Sequence, residues 1–215
     1  MVYIISIEGN IGSGKSTFVK MLQDYYANKN IHFLQEPVKL WESITDSSGQ
    51  NIIECFYKDQ EKYAFSFQMM AYISRLSLMR TAIKKNYDII FTERCIHTDK
   101  NVFAKMLYDS DKIDKINYEI YIKWFDEFIN EIPDIKYIYI KTTPQKALER
   151  INKRSRKGES ISLEYLKTCD MYHDEWLKNT NLNNLIILDG NIDKPSNNIN
   201  DYLDWLHIVD KLIDF

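Results

Sequence analysis

Three of the chain's six glycines fall in one short stretch, Gly9-Asn10-Ile11-Gly12-Ser13-Gly14-Lys15-Ser16-Thr17. The spacing is G-x-x-x-x-G-K-[ST], with an apolar run before it and a helical pattern after it. Glycines let the backbone turn its N–H groups inward around phosphate oxygens, and the helix N-terminus adds the positive end of its dipole. Lys15 is placed to reach the β and γ phosphates of a nucleoside triphosphate, and the Ser16 hydroxyl to hold Mg²⁺. A guanine-reading Asn-Lys-x-Asp segment is absent from the sequence. Asp46-Ser47-Ser48-Gly49 has the letters of a switch motif but follows Trp41 in loop-like sequence. A GTPase is therefore disfavoured.

Two acids end later apolar runs: Glu36, in Glu36-Pro37-Val38-Lys39-Leu40-Trp41, and Glu93, in Thr92-Glu93-Arg94-Cys95. In open α/β sheets ligands bind outside the carboxyl ends of the strands, so Lys15, Glu36, Glu93 and Arg94 are expected to converge. A carboxylate beside bound phosphates must take a proton or hold a cation. With two present, one can accept a substrate hydroxyl proton while the other helps hold the metal. Each alone could equally cap the next helix. Gln68, Ala71 and Arg75 share one stripe of a helical pattern. This polar–small–polar line suits a flat heterocycle, with the amide pairing to one edge and Phe103 or Phe67 stacking on a face. An exposed line on an amphipathic helix has the same appearance.

The elements that must position these residues alternate along the chain. Strands are predicted at Val2–Ile7, Ile31–Leu34, Asp88–Thr92, Tyr137–Lys141 and Leu185–Leu188, apolar and β-branched as a doubly covered parallel sheet requires. Phe65, Met69, Tyr72, Leu76, Met79 and Ile83 mark one helix. Tyr118, Tyr121, Ile122, Phe125, Phe128, Ile129 and Ile132 mark another, stopped by Pro133. A closing helix from about Asn198 to Asp214 carries Tyr202, Trp205, Leu206 and Val209. The expected architecture is α/β, a five-stranded parallel sheet with helices on both faces, built as one domain over residues 1–215. With 28 basic and 31 acidic residues the net charge is -3, which argues against nucleic acid as a partner. Cys55, Cys95 and Cys169 are widely spaced, without a CxxC pair, so neither disulfides nor structural zinc are expected. Val2–Ile7 is too short to span a bilayer or to form a signal segment. A cytoplasmic location without membrane contact is the resulting expectation.

Taken in order, these motifs resemble the deoxynucleoside kinase family, and the resemblance covers nearly the whole chain. It rests on Gly9–Thr17, Glu36-Pro37-Val38 with Trp41, Tyr57 ahead of Phe67-Gln68, Glu93-Arg94, and Asp99 followed by Phe103-Ala104. Thr143-Pro144, Arg154-Ser155-Arg156 with Glu159, and Leu163-Glu164-Tyr165-Leu166 complete the set. The resemblance implies a P-loop kinase fold that transfers the γ-phosphoryl of ATP, with Mg²⁺, to the 5′-hydroxyl of a deoxyribonucleoside in nucleotide salvage. It implies Glu36 as general base, Gln68 as base reader, Tyr57 and Glu159 on the 3′-hydroxyl, Arg94 near the reacting oxygens and Glu93 at the magnesium. Cys95 stands where the family commonly has serine, so a hydroxyl hydrogen bond is expected to be lost there.

Between Lys141 and Lys157 lie seven basic residues (Lys141, Lys146, Arg150, Lys153, Arg154, Arg156 and Lys157) against one acid, Glu149. A solvated helix face has this composition. Resemblance to the family's lid implies instead an arginine clamp on the donor phosphates over about 150–160, with Arg150 near the adenine. The four histidines are assigned no chemistry. A homodimer is expected through the helix from Asn117 to Ile132, whose apolar positions Tyr121, Trp124, Phe125 and Phe128 extend past a single core-facing strip. Arg75 and Asp99 form a pair that, in the resembling family, accompanies acceptance of deoxycytidine and purine deoxynucleosides. Thymidine is expected to be the poorest of the four substrates, with a lean towards deoxyadenosine or deoxyguanosine. The rivals are a thymidylate-type nucleoside monophosphate kinase, which usually has Asp-Arg in place of Glu93-Arg94, and a non-catalytic NTP-binding module.

Overall fold

The computed structural model describes residues 2–154, 159–193 and 199–213. Arg156, much of the lid segment, Pro195 and both extremes of the closing helix lie outside the described residues. Strand β1 (Tyr3–Glu8) runs into the glycine loop and helix α1 (Lys15–Tyr25), and β2 (Ile31–Leu34) follows. Next come α2 (Val38–Glu42), α3 (Ile52–Lys58), the long α4 (Gln60–Ile83) and β3 (Ile89–Glu93). A short α5 (Ile96–Thr98) opens into a π-helical stretch (Asp99–Ala104), then α6 (Lys105–Asp109), α7 (Lys115–Phe128) and β4 (Ile135–Lys141). Helices α8 (Pro144–Arg154) and α9 (Leu163–Lys178), strand β5 (Leu185–Asp189) and α10 (Leu203–Ile213) complete the order.

The sheet is five-stranded and parallel throughout, in the order β2-β3-β1-β4-β5. Alternate side chains of β1 go to opposite layers. Ile5 and Ile7 pack with Phe91, Ile138 and Ile140 against Phe18 and Leu22 of α1 and Trp205, Leu206 and Val209 of α10. Ile4 packs with Ile90, Tyr137 and Tyr139 against Met79 and Ala82 of α4 and Leu177 of α9. Burial on both faces is why the central strands β1, β3 and β4 carry apolar runs rather than strict alternation.

All five predicted strands form, β2 with the expected bounds and the others with ends shifted by at most two residues. The helix expected from Asn117 to Ile132 starts earlier, because the Asp114 carboxylate caps it by accepting from the Asn117 N–H at 3.0 Å. It passes into a 3₁₀ turn at Ile129–Glu131 ahead of Pro133. The closing helix begins with a 3₁₀ turn at Ile199–Tyr202. No helix among the described residues is long and apolar enough to cross a membrane.

Candidate active site

Strands β1 and β3 are neighbours, with Ile7 in register with Glu93, so the chain leaves both at one edge of the sheet. There Gly9–Thr17 and Arg94 meet. Gly12 adopts φ 79°, and a Cβ on it would sit 2.6 Å from the Ala147 carbonyl oxygen of α8. Gly14, at φ 100°, turns the loop into α1, which no side chain caps. The first N–H groups of α1 are thereby left for an anion. Lys15 is buried, and its Nζ donates to the carbonyl oxygens of Gly9 at 3.0 Å and Asn10 at 2.7 Å. Burial, then the charge of Arg94, lowers the Lys15 ammonium to about 7.

A cavity of about 990 Å³ spreads from this loop. One end is bordered by Ile11–Thr17 with Arg150, Gly190, Ile192, Asp193, Tyr202 and Trp205. Arg150 donates to the Ser13 carbonyl at 3.4 Å, to the Ile192 carbonyl at 3.2 Å and to Asp193 at 3.0 Å. The other end is walled by Val38, Trp41, Tyr57, Phe67, Gln68, Ala71, Arg75, Asp99, Phe103, Arg154 and Glu159. Glu36, Glu93 and Arg94 also line it.

Glu36 sits between two guanidiniums. Its Oε1 accepts from Arg94 Nη1 at 2.6 Å and from Arg75 Nη2 at 3.1 Å. Burial opposes its ionisation, but Arg94, Arg75 and Lys15 outweigh that and hold the carboxyl at about 2. Arg75 reaches further, donating to Asp99 at 2.9 and 3.4 Å and to the Glu93 carbonyl at 2.8 Å. Burial lifts the Asp99 carboxyl to about 6 even against Arg75. Arg94 is left-handed, with φ 60°, a conformation costing a non-glycine residue about 1–3 kcal/mol. Its N–H donates to the Ile7 carbonyl at 3.0 Å, its carbonyl accepts from the Thr92 hydroxyl at 2.7 Å, and its guanidinium lies 5.1 Å from the Phe103 ring centroid. The Ser16 hydroxyl donates to Glu93 at 2.6 Å, bringing together two hard oxygen ligands at the phosphate loop. That donor set suits Mg²⁺, which binds through few protein ligands and fills the rest from phosphates and water.

The Gln68–Ala71–Arg75 stripe is buried against this cavity and is not an exposed polar line. The exposed positions of α4 are Glu61, Lys62, Ser66, Ile73, Ser77, Leu78 and Thr81. Phe67 packs edge-on against Trp41 and stacks on Phe56, which makes it part of the wall. Phe103 comes from the π-helical stretch, one turn on from Asp99, and both line the cavity. Tyr57 is half-buried, its hydroxyl pushed up by burial and by nearby Glu159, and Glu159 is paired with Arg154 at 2.5 Å. The side chain of Asn10, a loop position expected at the phosphates, is used elsewhere. The Asn10 side chain points away from the cavity, donating to the Leu166 carbonyl of α9 at 2.8 Å and accepting from the Ile11 N–H.

The deoxynucleoside kinase family model matches residues 5–214. The chain belongs to the deoxynucleoside kinase family. The kinase is 34% identical to deoxycytidine kinase 2 of Gallus gallus, over 80% of this chain and 73% of that protein. It is 35% identical to a probable deoxycytidine kinase of fowlpox virus, over 82% and 72%. It is 30% identical to a mitochondrial deoxyguanosine kinase of Xenopus laevis, over 80% and 72%. It is therefore an ATP-dependent phosphotransferase. The sequence pattern did not single out Ile192 and Asp193 of the kinase's far cavity wall. They follow β5 in Asn-rich sequence that resembles an ordinary turn. Tyr202 and Trp205 were legible only as core residues, which they also are.

Proposed function

We propose that the protein transfers the γ-phosphoryl of ATP to the 5′-hydroxyl of a deoxyribonucleoside, favouring purine deoxynucleosides or deoxycytidine over thymidine, in nucleotide salvage. The observation that carries this reading is Glu36, a single carboxylate shared by Arg94 on the phosphate-loop side and Arg75 on the base side. Phosphoryl transfer has a loose transition state, so the acceptor hydroxyl needs placement more than early deprotonation. Glu36 stays ionised across the physiological range and is free to orient the hydroxyl and take its proton late. Arg94 is aimed at the same point and offsets charge on the transferring oxygens. Bound phosphates draw Lys15 off the loop carbonyls, and Arg150 and Arg154 add cations from α8. Ser16 and Glu93 would hold Mg²⁺, which supplies neutralisation of the β/γ charge when bound. Arg156 belongs to the same proposed clamp. Gln68 pairs with the base, Val38, Trp41, Phe67, Ala71 and Phe103 enclose it, and Tyr57 with Glu159 takes the 3′-hydroxyl.

The buried Arg75–Asp99 pair faces the base edge with polar atoms and leaves no apolar room for the thymine methyl. The chain is read as one catalytic domain whose segment 150–160 acts as a lid. A homodimer is proposed through α7, with a revised surface. Tyr121 and Phe125 are buried inside their own subunit, whereas Ile116, Ile120 and Trp124, four residues apart, are 72%, 39% and 47% exposed. Three buried free thiols support a reducing setting such as the cytoplasm.

The test is a steady-state panel of deoxyadenosine, deoxyguanosine, deoxycytidine and thymidine, and of their monophosphates, with ATP and Mg²⁺. Turnover of nucleosides with thymidine last supports the proposal. Turnover of monophosphates alone overturns it.

A further inference from the structure

Glu8 ends β1 one residue before the phosphate loop and is fully buried. Its carboxylate accepts from three uncharged donors. The Ser6 hydroxyl lies at 2.5 Å and the Cys95 thiol at 3.3 Å from Oε1, and the Thr98 hydroxyl at 2.7 Å from Oε2. Thr98 Oγ1 in turn accepts from the Cys95 N–H at 3.3 Å. All four residues are shielded from solvent, and none borders the cavity. A buried carboxyl group satisfied only by neutral donors is an expensive way to fill space, since an apolar side chain would pack there without desolvating polar atoms. Its effect must come from where it holds its donors.

Cys95 and Thr98 bracket the acceptor side of the site. Arg94, the strained residue that reaches Glu36, immediately precedes Cys95. Asp99, the partner of Arg75, immediately follows Thr98. The left-handed turn at Arg94 is anchored upstream by Ile7 and Thr92. Downstream, the anchor is Glu8 through Cys95 and Thr98. Its two oxygens accept from side chains three residues apart, so one carboxyl group can pin both the turn and the helical start.

We infer that Glu8 is a positioning residue for the acceptor half of the site. It sets the direction of Arg94 through Cys95 and the seat of Asp99 through Thr98, without touching substrate. The inference rests on the roles proposed above for Arg94 and the Arg75–Asp99 pair. The thiol is the weak link in the set, because S–H is a poorer donor than O–H. The hydroxyl bond expected to be missing at Cys95 is thus replaced by a longer contact to Glu8.

Three variants test it: Thr98→Val, which keeps the branched shape and removes a donor, Glu8→Gln, and Cys95→Ser, which offers Oε1 a better donor. Each is assayed for kcat/KM with deoxycytidine and thymidine, for KM of ATP, and for melting temperature. Thr98→Val and Glu8→Gln are expected to lower kcat/KM for deoxycytidine by about 10-fold or more and to narrow its preference over thymidine, with KM for ATP nearly unchanged. Cys95→Ser is expected to move the preference the other way. Asp99→Ala is the control for the underlying assignment. If Asp99→Ala shifts the preference while Thr98→Val, and Glu8→Gln where it folds, leave it unchanged whatever their melting temperatures, Glu8 is a packing residue and the inference is wrong. If Asp99→Ala shifts nothing, the base-reading role of the Arg75–Asp99 pair has failed, and the part assigned to Glu8 in selectivity falls with it.

Discussion

Replacing Arg75 and Asp99 singly and together separates a base-reading pair from a scaffold. Asp99 is 2% exposed, and its carboxylate accepts only from Arg75 among the described residues. Arg75→Met therefore leaves a buried carboxylate without donors, at about 3–5 kcal/mol. Asp99→Ala is milder, because Arg75 keeps Glu36 and the Glu93 carbonyl, so its cost sits near the bottom of that range, about 3 kcal/mol. The double variant orphans no charge at position 99, and its cost should fall short of the sum of the singles by about 3 kcal/mol. Urea denaturation at neutral pH measures all three. The kinetic readout needs a ratio, since Arg75→Met also takes one of the two guanidiniums from Glu36 and lowers turnover with every nucleoside. Room for one methyl group is worth about 1–3 kcal/mol, so kcat/KM for thymidine relative to deoxycytidine should rise about 10- to 200-fold. Additive stability costs with an unmoved ratio would show that the pair only braces Glu36.

The same pair gives a pH signature. The Asp99 carboxyl, lifted by burial to about 6, takes a proton as pH falls through that value and loosens its hold on Arg75. Selectivity against thymidine should narrow between pH 7 and 5. Stability moves in the opposite sense for this group. Its folded value is raised, so its contribution is fullest below the ordinary carboxylate range and is lost as pH rises through about 6. A selectivity flat across that window would remove Asp99 from base reading.

Three further outcomes are expected. Glu36→Gln should lower kcat by about 10²–10⁴ with ATP binding nearly intact, and a variant within a few-fold of wild type would displace Glu36 from the acceptor hydroxyl. Lys15, lowered to about 7 by burial and Arg94, should regain its full charge against bound phosphates. ATP binding near pH 7.5 should then take up protons, seen by calorimetry in buffers of different ionisation enthalpy, while Lys15→Ala weakens both nucleotide binding and turnover. Light scattering should give twice 25.7 kDa for wild type and 25.7 kDa for Trp124→Glu, and a monomeric wild type would refute the α7 interface.

Much of this was legible in the sequence because its signals are local. Gly12 and Gly14 announce left-handed backbone, and strands buried on both faces announce themselves as unbroken apolar runs. The ends of β2 and β3 gave Glu36, Glu93 and Arg94 one address. What local pattern could not say is which way a side chain turns. Asn10 sits inside the phosphate-loop motif, yet it bonds a helix 156 positions further along the chain. Tyr121 and Phe125 look like a docking face beside Trp124 until α4 covers them. Glu8 is one more acid next to a glycine until β1 and β3 lie side by side and place Cys95 and Thr98 against it. Each depends on long-range pairing that spacing does not encode.

The geometry also explains why base choice and chemistry should be hard to alter independently. Arg75 and Arg94 both donate to the same oxygen of Glu36, so the group proposed to orient the 5′-hydroxyl is itself held from two directions. One of those directions is the proposed base end of the site. A base that displaces Arg75 shifts Glu36 as well, and the penalty then falls on turnover as well as on binding. That is the condition under which a poor substrate loses kcat rather than only raising KM. The buried Glu8 cluster lies beneath the same junction, one bond behind Arg94 on one side and Asp99 on the other.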